Sequence, residues 1–193
     1  MRALSAFARS PIARAVSAAV VALAVIVGYW YLRSPESTVI KAGMQAPDLE
    51  LPSGDAGGKA RLSSFRGRPV LLVMFMSSCH ICQAEMPQVE RVHREFRSQG
   101  LIVLGVSVDA DPAARERFLR DHGITFGILQ DPDGVAVRQA YGSYKMPEAY
   151  LIDATGWVEA VYPGSVNWRS HEVRDRIRKL LPESVRKGAS APS

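Results

Sequence analysis

Residues 70–82 have the sequence Val70-Leu71-Leu72-Val73-Met74-Phe75-Met76-Ser77-Ser78-Cys79-His80-Ile81-Cys82. The first seven residues are apolar without interruption, as in a strand that is buried on both faces of a sheet. The segment that follows carries apolar residues at the spacing of a helix with one apolar face, namely Ile81, Val89, Val92 and Phe96. The sequence therefore predicts a strand over residues 70–76 and a helix from about residue 80 to residue 98, with a pair of cysteines at their junction.

Cys79 and Cys82 are the only cysteines of the chain. Two thiols three positions apart can close a small disulfide ring. Cys79 would lie at the helix N-terminus, whose partial positive charge favours a thiolate over a thiol. We expect Cys79 to be the nucleophile and Cys82, one helical turn further on, to be the resolving thiol that attacks a mixed disulfide.

Composition narrows the class of protein. A chain of 193 residues can hold one domain of ordinary size and a targeting segment. Two cysteines cannot build a disulfide framework, so the fold must depend on its hydrophobic core. The net charge of +5 is spread along the chain, without a compact basic block interleaved with aromatic residues. We therefore expect no nucleic-acid partner.

The N-terminus combines basic and apolar residues. Arg2, Arg9 and Arg14 precede an apolar run over residues 15–32. A helix of that length spans roughly 27 Å, close to the hydrocarbon thickness of a bilayer. The pattern predicts an uncleaved transmembrane signal anchor with residues 1–14 in the cytoplasm. A cleaved signal peptide is the alternative.

The end of the apolar run favours the anchor. Tyr29, Trp30 and Tyr31 are bulky, whereas signal-peptide cleavage needs small residues. The predicted localisation is a single-pass protein of the bacterial inner membrane with its cysteine domain in the periplasm. The predicted segments after the anchor are a linker at 33–43, a folded domain at 44–183 and a disordered tail at 184–193.

Periodicity and turn residues predict the remaining elements of the folded domain. They are a small hairpin from residues 48–51 and 59–62, strands at 101–108 and 125–130, helices from Asp111-Pro112 to about His122-Gly123 and over 135–141, a hairpin from 150–152 and 158–162, and a last helix capped near Asn167 or Ser170. The order of strands and helices predicts an α/β sandwich whose mixed sheet is parallel early and antiparallel at the end.

At this point the sequence resembles the thioredoxin superfamily, in particular the membrane-anchored TlpA/ResA/CcmG-type thiol–disulfide oxidoreductases. The C-x-x-C pair follows the first core strand, and Glu85-Met86-Pro87 matches the family's continuation of that motif. Pro147 precedes a strand that begins near Tyr150, as the family's cis-proline does, and residues 112–141 resemble the family's extra helix and strand. The resemblance implies a thioredoxin-like three-layer sandwich with a central mixed sheet, an N-terminal β-hairpin extension and an internal insertion.

The resemblance also implies roles for individual residues. Glu85 would be partly buried and would take the proton from Cys82, although a helical glutamate is also compatible with plain solvation. Pro147 would be cis, which would bring Met146 beside Cys79 and leave the Met146 backbone free to pair with an extended client strand. Pro87 would kink the helix, a structural role.

Two predicted client-contact residues flank Cys79. The family usually has tryptophan before its first cysteine, and here Ser78 occupies that position, where it could be the N-cap of the helix. An imidazolium at His80 would stabilise the neighbouring thiolate and make the disulfide more oxidising. A solvent-facing histidine without a function is the equally weighted alternative.

The resemblance implies a membrane-tethered periplasmic oxidoreductase of the cytochrome c maturation type, which reduces client disulfides and is reset by a membrane thiol donor. The implied client is apo-cytochrome c or a copper-site protein. An oxidising, disulfide-forming role remains open. A copper chaperone on the same fold is a second alternative, although such proteins typically need a C-x-x-x-C pair. A peroxidase of the peroxiredoxin type is disfavoured because its P-x-x-x-T-x-x-C pattern would need proline and threonine at Leu72 and Met76.

We expect no cofactor other than the Cys79–Cys82 disulfide and no metal site. The four histidines do not have a paired, ligand-like spacing. Trp168, Tyr141 and Tyr144 are expected to be packing residues rather than parts of a cofactor site.

Overall fold

The computed structural model describes residues 11–32, 39–54 and 57–182. The chain divides into two compact units, Met1–Glu36 and Ser37–Ser193. In the first unit, Pro11–Leu32 forms helix α1, whose exposed side chains include Val20, Leu23 and Ile26.

Within the described part of the chain, no helix is both long enough and apolar enough to cross a bilayer. The predicted transmembrane anchor at 15–32 is therefore not supported by the structure. The predicted tail at 184–193 lies outside the described residues, as do residues 1–10 of the predicted cytoplasmic segment and 33–38 of the predicted linker.

Among the described residues of the second unit, the strands form a small hairpin and one five-stranded sheet. The hairpin pairs β1 (Glu50–Pro52) with β2 (Lys59–Arg61) in antiparallel fashion, as predicted. The strands of the sheet are β3 (Val70–Phe75), β4 (Ile102–Ser107), β5 (Gly127–Gln130), β6 (Glu148–Ile152) and β7 (Val158–Pro163). Their order is β5-β4-β3-β6-β7.

The sheet is mixed in the predicted sense. β3, β4 and β5 are parallel, whereas β6 runs antiparallel to β3 and β7 antiparallel to β6. β3 is the central strand and every one of its residues is buried. Val70 pairs with Ile102 on one side and with Ile152 on the other. An uninterrupted apolar run fits this position because both faces and both edges of the strand are covered.

The helices of the second unit are α2 (His80–Phe96), α3 (Pro112–Asp121), α4 (Val135–Tyr141) and α5 (His171–Leu180). Asp111 caps α3 by accepting a hydrogen bond of 2.9 Å from the Ala113 N–H, as the Asp-Pro pair predicts. Ser170, and not Asn167, is the N-cap of α5.

Helix α2 buries Val89, Val92 and Phe96 against the sheet. Ile81, which the helical spacing assigns to the same face, is 49% exposed, so its predicted burial is wrong. Ile81 lies in the first turn of the helix, where the neighbouring Cys82 takes the buried side of the helix instead.

Two hydrophobic clusters lie on opposite faces of the sheet, because alternate side chains of β3 point in opposite directions. Leu71, Val73 and Phe75 pack with residues of α2, α3 and α5. Leu72 and Met74 pack with α4 and with the N-terminal hairpin. The result is the three-layer, thioredoxin-like sandwich that the sequence predicts.

The segment before the hairpin is bound into the domain by backbone hydrogen bonds. The Ile40 N–H donates to the Tyr141 carbonyl at 3.2 Å, and the Gly43 N–H donates to the Val158 carbonyl at 2.8 Å. The Tyr141 hydroxyl donates to the Pro47 carbonyl at 2.8 Å. The folded unit therefore includes Ile40 and begins earlier than the predicted boundary at residue 44.

Candidate active site

The nucleophile lies at the junction of β3 and α2. After Phe75, a turn is closed by a hydrogen bond of 3.1 Å from the Cys79 N–H to the Met76 carbonyl. Cys79 is itself the N-cap of α2, and its sulfur accepts a hydrogen bond of 3.3 Å from the Cys82 N–H. The predicted N-cap, Ser78, is wrong, because Ser78 lies one residue too early and its side chain is exposed.

The two cysteines are free and differ in exposure. Cys79 is partly exposed, whereas Cys82 is fully buried. Burial raises the pKa of the Cys82 thiol strongly, and its hydrogen bond with Cys79 and the negative charge of Glu85 raise it further. One thiol is thus reachable from outside and the other stays protonated in the interior, which suits a nucleophile and a resolving group.

A cis peptide bond faces the nucleophile. The Met146–Pro147 bond is cis, as predicted. The Cys79 thiol donates to the Met146 carbonyl at 3.6 Å, and Pro147 is buried. The loop that ends in Pro147 and the start of α2 therefore meet at the sulfur of Cys79.

Glu85 lies three residues after Cys82 in α2 and is only 3% exposed. Residues at this spacing share one face of a helix. Burial raises the pKa of the Glu85 carboxyl, while hydrogen bonding to Trp168 and the nearby backbone of Val166 act in the opposite direction. The structure excludes the alternative of a solvated glutamate, although the catalytic role of Glu85 remains a prediction.

His80 is the first residue of α2 and is exposed. It lies beside the half-exposed Ile81 in the first turn of the helix. Its position at the surface is compatible with both alternatives that the sequence left open.

The profile of the AhpC/TSA family matches residues 42–161, which contain the two cysteines, Glu85 and the cis-proline. The chain belongs to this family. Several of its relatives are named thiol-disulfide oxidoreductases. The thiol-disulfide oxidoreductase ResA of Geobacillus thermodenitrificans is 30% identical over 147 residues, which are 76% of this chain and 82% of the relative. ResA of Bacillus subtilis is 29% identical over 127 residues, which are 66% and 70% of the two chains.

Solved structures show the same fold. The crystal structure of a DsbE-type thiol:disulfide interchange protein from Chlorobium tepidum superimposes with a TM-score of 0.67 at 27% sequence identity. The match covers 75% of this chain and all of that chain. Together with the two cysteines at the N-terminus of α2, these relatives establish that this AhpC/TSA-family protein is a thiol-disulfide oxidoreductase.

A group of polar residues that the sequence did not reveal holds the turn before Cys79. The Ser77 N–H and hydroxyl donate to the Asp109 carboxylate at 2.9 and 2.6 Å, and the Gln83 side chain donates to the Ser77 carbonyl at 3.0 Å. The Ser107 hydroxyl donates to the other Asp109 oxygen at 2.7 Å. We call Ser77, Gln83, Ser107 and Asp109 the Ser77 clamp, since every polar group of Ser77 is held.

One signal in the sequence could have indicated the Ser77 clamp. Asp109 follows β4, which is parallel to β3, and the carboxyl ends of adjacent parallel strands meet at one edge of a sheet. Asp109 is only 7% exposed. In this AhpC/TSA-family protein, hydrogen bonds to Ser77 hold the turn, and the side chain of Ser78 is exposed.

The three aromatic residues that were expected to be packing residues differ in how far they are buried. Tyr141 and Trp168 are fully buried, as predicted. Trp168 also donates a hydrogen bond of 2.5 Å from its indole Nε1 to Glu85 Oε1, which the sequence did not indicate. Tyr144 is 68% exposed, so the packing prediction is wrong for this residue. It lies beyond α4, in the loop that leads to the cis-proline.

A pocket of about 430 Å³ lies beside the cis-proline loop. The residues that line it include Met76, Val108, Gly134, Arg138, Tyr144 and Met146. It is partly apolar and shares Met146 with the surroundings of Cys79. Within residues 11–32, 39–54 and 57–182, no group of three or more His, Cys, Asp or Glu side chains is arranged to hold a metal ion.

Proposed function

We propose that this thiol-disulfide oxidoreductase reduces disulfide bonds in client proteins, with Cys79 as the nucleophile and Cys82 as the resolving thiol. The observation that carries the proposal is the asymmetry of the pair. Cys79 is partly exposed against the carbonyl of Met146, and Cys82 is buried next to the buried carboxyl of Glu85. A reductase needs one sulfur that a client disulfide can reach. It also needs a second sulfur that reacts only with the mixed disulfide formed by the first.

In the first step, the Cys79 thiolate attacks one sulfur of a client disulfide. A bond forms between Cys79 and that sulfur, the client's own S–S bond breaks, and the second client sulfur leaves as a thiolate. The Cys82 N–H and the N-terminus of α2 both favour negative charge on Cys79.

In the second step, Cys82 loses its proton to the Glu85 carboxylate and attacks the Cys79 sulfur. The bond from Cys79 to the client breaks, and the client sulfur leaves as a thiolate that takes up a proton. The protein is left with a Cys79–Cys82 disulfide, and the client has gained two electrons. Because the pKa of Cys82 is raised by burial, this step needs a base at neutral pH.

The client would bind as an extended segment against the cis-proline loop. The Met146 backbone would pair with the segment, as in strand addition. Ser78 and His80 are exposed on the other side of Cys79, and the pocket beside Met146 could receive a client side chain.

We further propose that the clients are apo-cytochromes c, that the domain works outside the cytoplasm, and that a membrane dithiol donor returns the Cys79–Cys82 disulfide to two thiols. The resemblance of the sequence to TlpA/ResA/CcmG-type oxidoreductases implies the client class, and the names of the relatives support thiol-disulfide exchange. Arg2, Arg9 and Arg14 before an apolar run support export.

Two measurements test the proposed function. Equilibration with glutathione should give a reduction potential near the roughly −270 mV of a reducing thioredoxin. In cells, the Cys82→Ser variant should accumulate covalent adducts with client proteins, while the Cys79→Ser variant serves as the matched control and should accumulate none. Absence of Cys82→Ser adducts, with Cys79 still reactive, would contradict the exchange mechanism.

An oxidising role is the second candidate, and the environment of Cys79 favours it. His80 is its neighbour and the Cys82 N–H contacts its sulfur. The hydrogen bond from the Cys82 N–H would stabilise the reduced form and make the disulfide a stronger oxidant. A potential near the roughly −120 mV of a strong oxidant would replace the reductase proposal by this one.

A further inference from the structure

Glu85 and Trp168 form a buried hydrogen-bonded pair behind Cys82. The indole Nε1 lies 2.5 Å from Glu85 Oε1, although the two residues are 83 positions apart in the chain. Trp168 is 0% exposed and Glu85 is 3% exposed. An indole N–H can only donate, so its natural partner is an acceptor such as a carboxylate oxygen.

The two oxygens of Glu85 have different surroundings. Oε1 accepts the indole hydrogen bond, whereas Oε2 is buried without a hydrogen-bond partner among the described residues. A buried acceptor without a partner is costly, and such groups occur in proteins where they serve a function. Cys82 lies one helical turn before Glu85 on the same face of α2 and has a thiol proton to give.

We infer that Trp168 is a positioning residue for thiol exchange, which holds Glu85 by Oε1 so that Oε2 receives the proton of Cys82. The inference rests on the proposed role of Glu85 as the base of the second step. Without the indole, the carboxyl would lose the hydrogen bond that fixes Oε1, and only the nearby backbone of Val166 would still act on it among the groups that favour its charged form.

Trp168 is itself held in place. Its ring packs edge-to-face against Tyr162, with 5.4 Å between ring centroids. Its backbone N–H donates to the Val166 carbonyl at 3.1 Å. Its indole belongs to the same hydrophobic cluster as Cys82. These contacts give the donor a defined position in the core.

The indole also affects the ionisation of Glu85. A hydrogen bond to a carboxylate favours the charged form and so opposes the burial that raises the pKa of Glu85. A Trp168→Phe variant would lose this hydrogen bond, and its Glu85 should remain protonated to a higher pH. A protonated Glu85 cannot accept the proton of Cys82.

Kinetics of the two exchange steps test the inference. With an aromatic disulfide reagent, attack by Cys79 releases one coloured thiolate and attack by Cys82 on the mixed disulfide releases the second. In Trp168→Phe, we expect the second release to be about tenfold slower at pH 7 and its pH profile to shift upward, while the first release is unchanged. Trp157→Phe, which alters an exposed tryptophan, is the matched control and should behave as wild type.

A double variant separates a positioning role from general damage. If Trp168 acts through Glu85, Trp168→Phe should have no further effect on the second release when Glu85→Gln is already present. Additive effects of the two substitutions would overturn the inference, as would a Glu85→Gln variant that resolves at the wild-type rate.

A spectroscopic measurement on otherwise unaltered protein keeps the inference testable even if Trp168→Phe does not fold. In the reduced protein, the indole N–H resonance of Trp168 should titrate with pH, and the titration should disappear in Glu85→Gln. A Trp168 resonance that is independent of pH, or one that still titrates in Glu85→Gln, would overturn the inference. The kinetic and spectroscopic experiments do not measure whether the protein reduces or oxidises its clients. The reductase proposal is tested separately by the reduction potential.

Discussion

The backbone N–H of Cys82 donates a hydrogen bond of 3.3 Å to the sulfur of Cys79. Cys82, which is proposed to resolve the mixed disulfide, therefore also holds the sulfur of Cys79, which is proposed to form it. Because this contact comes from the backbone, a Cys82→Ser substitution leaves it in place. A trapping variant should keep a nucleophile in its native environment.

The two thiols should differ in reactivity towards alkylating reagents. Cys79 is partly exposed, whereas Cys82 is fully buried and burial raises the pKa of its thiol. At pH 7 we expect iodoacetamide to modify Cys79 at least about 100-fold faster than Cys82. Peptide mass spectrometry of the reduced protein measures both rates. Equal rates in the folded protein would contradict the proposed division of roles.

Glu85 should make the protein less stable as the pH rises. Its pKa is raised in the folded state, so the folded protein keeps a proton that the unfolded chain has lost above about pH 4.5. The stabilisation that the protonated Glu85 carboxyl contributes is fully present below the pKa that Glu85 has in the unfolded chain. It is lost as the pH rises through the higher pKa that Glu85 has in the folded protein. We expect Glu85→Gln to gain stability relative to wild type over that window, as measured by urea unfolding between pH 4 and pH 8 under reducing conditions.

Glu90 supplies a control with the opposite sign. It is also buried on α2, and although burial alone would raise its pKa, hydrogen bonds from Thr125 and Arg94 lower it overall. Its stabilisation is present at neutral pH and is lost as the pH falls through the lowered pKa. Glu90→Gln should therefore be less stable than wild type at pH 7, by about 1 kcal/mol, and the difference should shrink in acid. If the stability difference from wild type changed with pH in the same way for Glu85→Gln and Glu90→Gln, the opposite pKa shifts assigned to the two carboxyls would be contradicted.

The Ser77 clamp should contribute to stability and to attack by Cys79. Asp109→Ala would leave the Ser77 N–H, the Ser77 hydroxyl and the Ser107 hydroxyl without their acceptor. We expect a loss of about 2–3 kcal/mol in the free energy of unfolding and a slower first step of exchange. Asp109→Asn keeps an acceptor for Ser77, so both the free energy of unfolding and the rate of the first exchange step should fall less than in Asp109→Ala. An Asp109→Ala variant with wild-type stability and reactivity would show that the turn does not depend on these hydrogen bonds.

Membership of the AhpC/TSA family does not make this protein a peroxidase. The peroxidase pattern would need threonine at Met76 and proline at Leu72, and Leu72 is instead buried inside β3. We expect hydrogen peroxide to oxidise the reduced protein no faster than it oxidises a free thiol of similar acidity. The measurement is peroxide consumption with a thiol reductant, against a Cys79→Ser control. Rapid turnover that depends on Cys79 would contradict this expectation.

Much of the fold followed from local patterns in the sequence. The strand ending at Phe75, the Asp111 cap and the helix over Val135–Tyr141 lie where periodicity and turn residues indicate. The exposure of Ile81 and Tyr144 did not follow. Both are exposed although they are apolar or aromatic, because neither helical spacing nor hydrophobicity alone determines which residue of a turn or loop faces the core.

The candidate site was predictable where residues are close in sequence. Cys79 and Cys82 share a motif, and the cis bond before Pro147 was expected from the family resemblance. The partners Asp109 and Trp168 come from 32 and 83 residues away along the chain. Such contacts depend on how the strands and helices are brought together, which local patterns do not specify.

The backbone hydrogen bonds of Ile40 and Gly43 bear on how the domain can be produced by recombinant expression. A polypeptide shortened to start at residue 44 would delete both donors and leave the carbonyls of Tyr141 and Val158 uncapped at the margin of the sandwich. It would also remove Ile40, which is 5% exposed, from the layer beneath α4. An expression boundary at residue 37 preserves these contacts and gives the better starting material for redox titration.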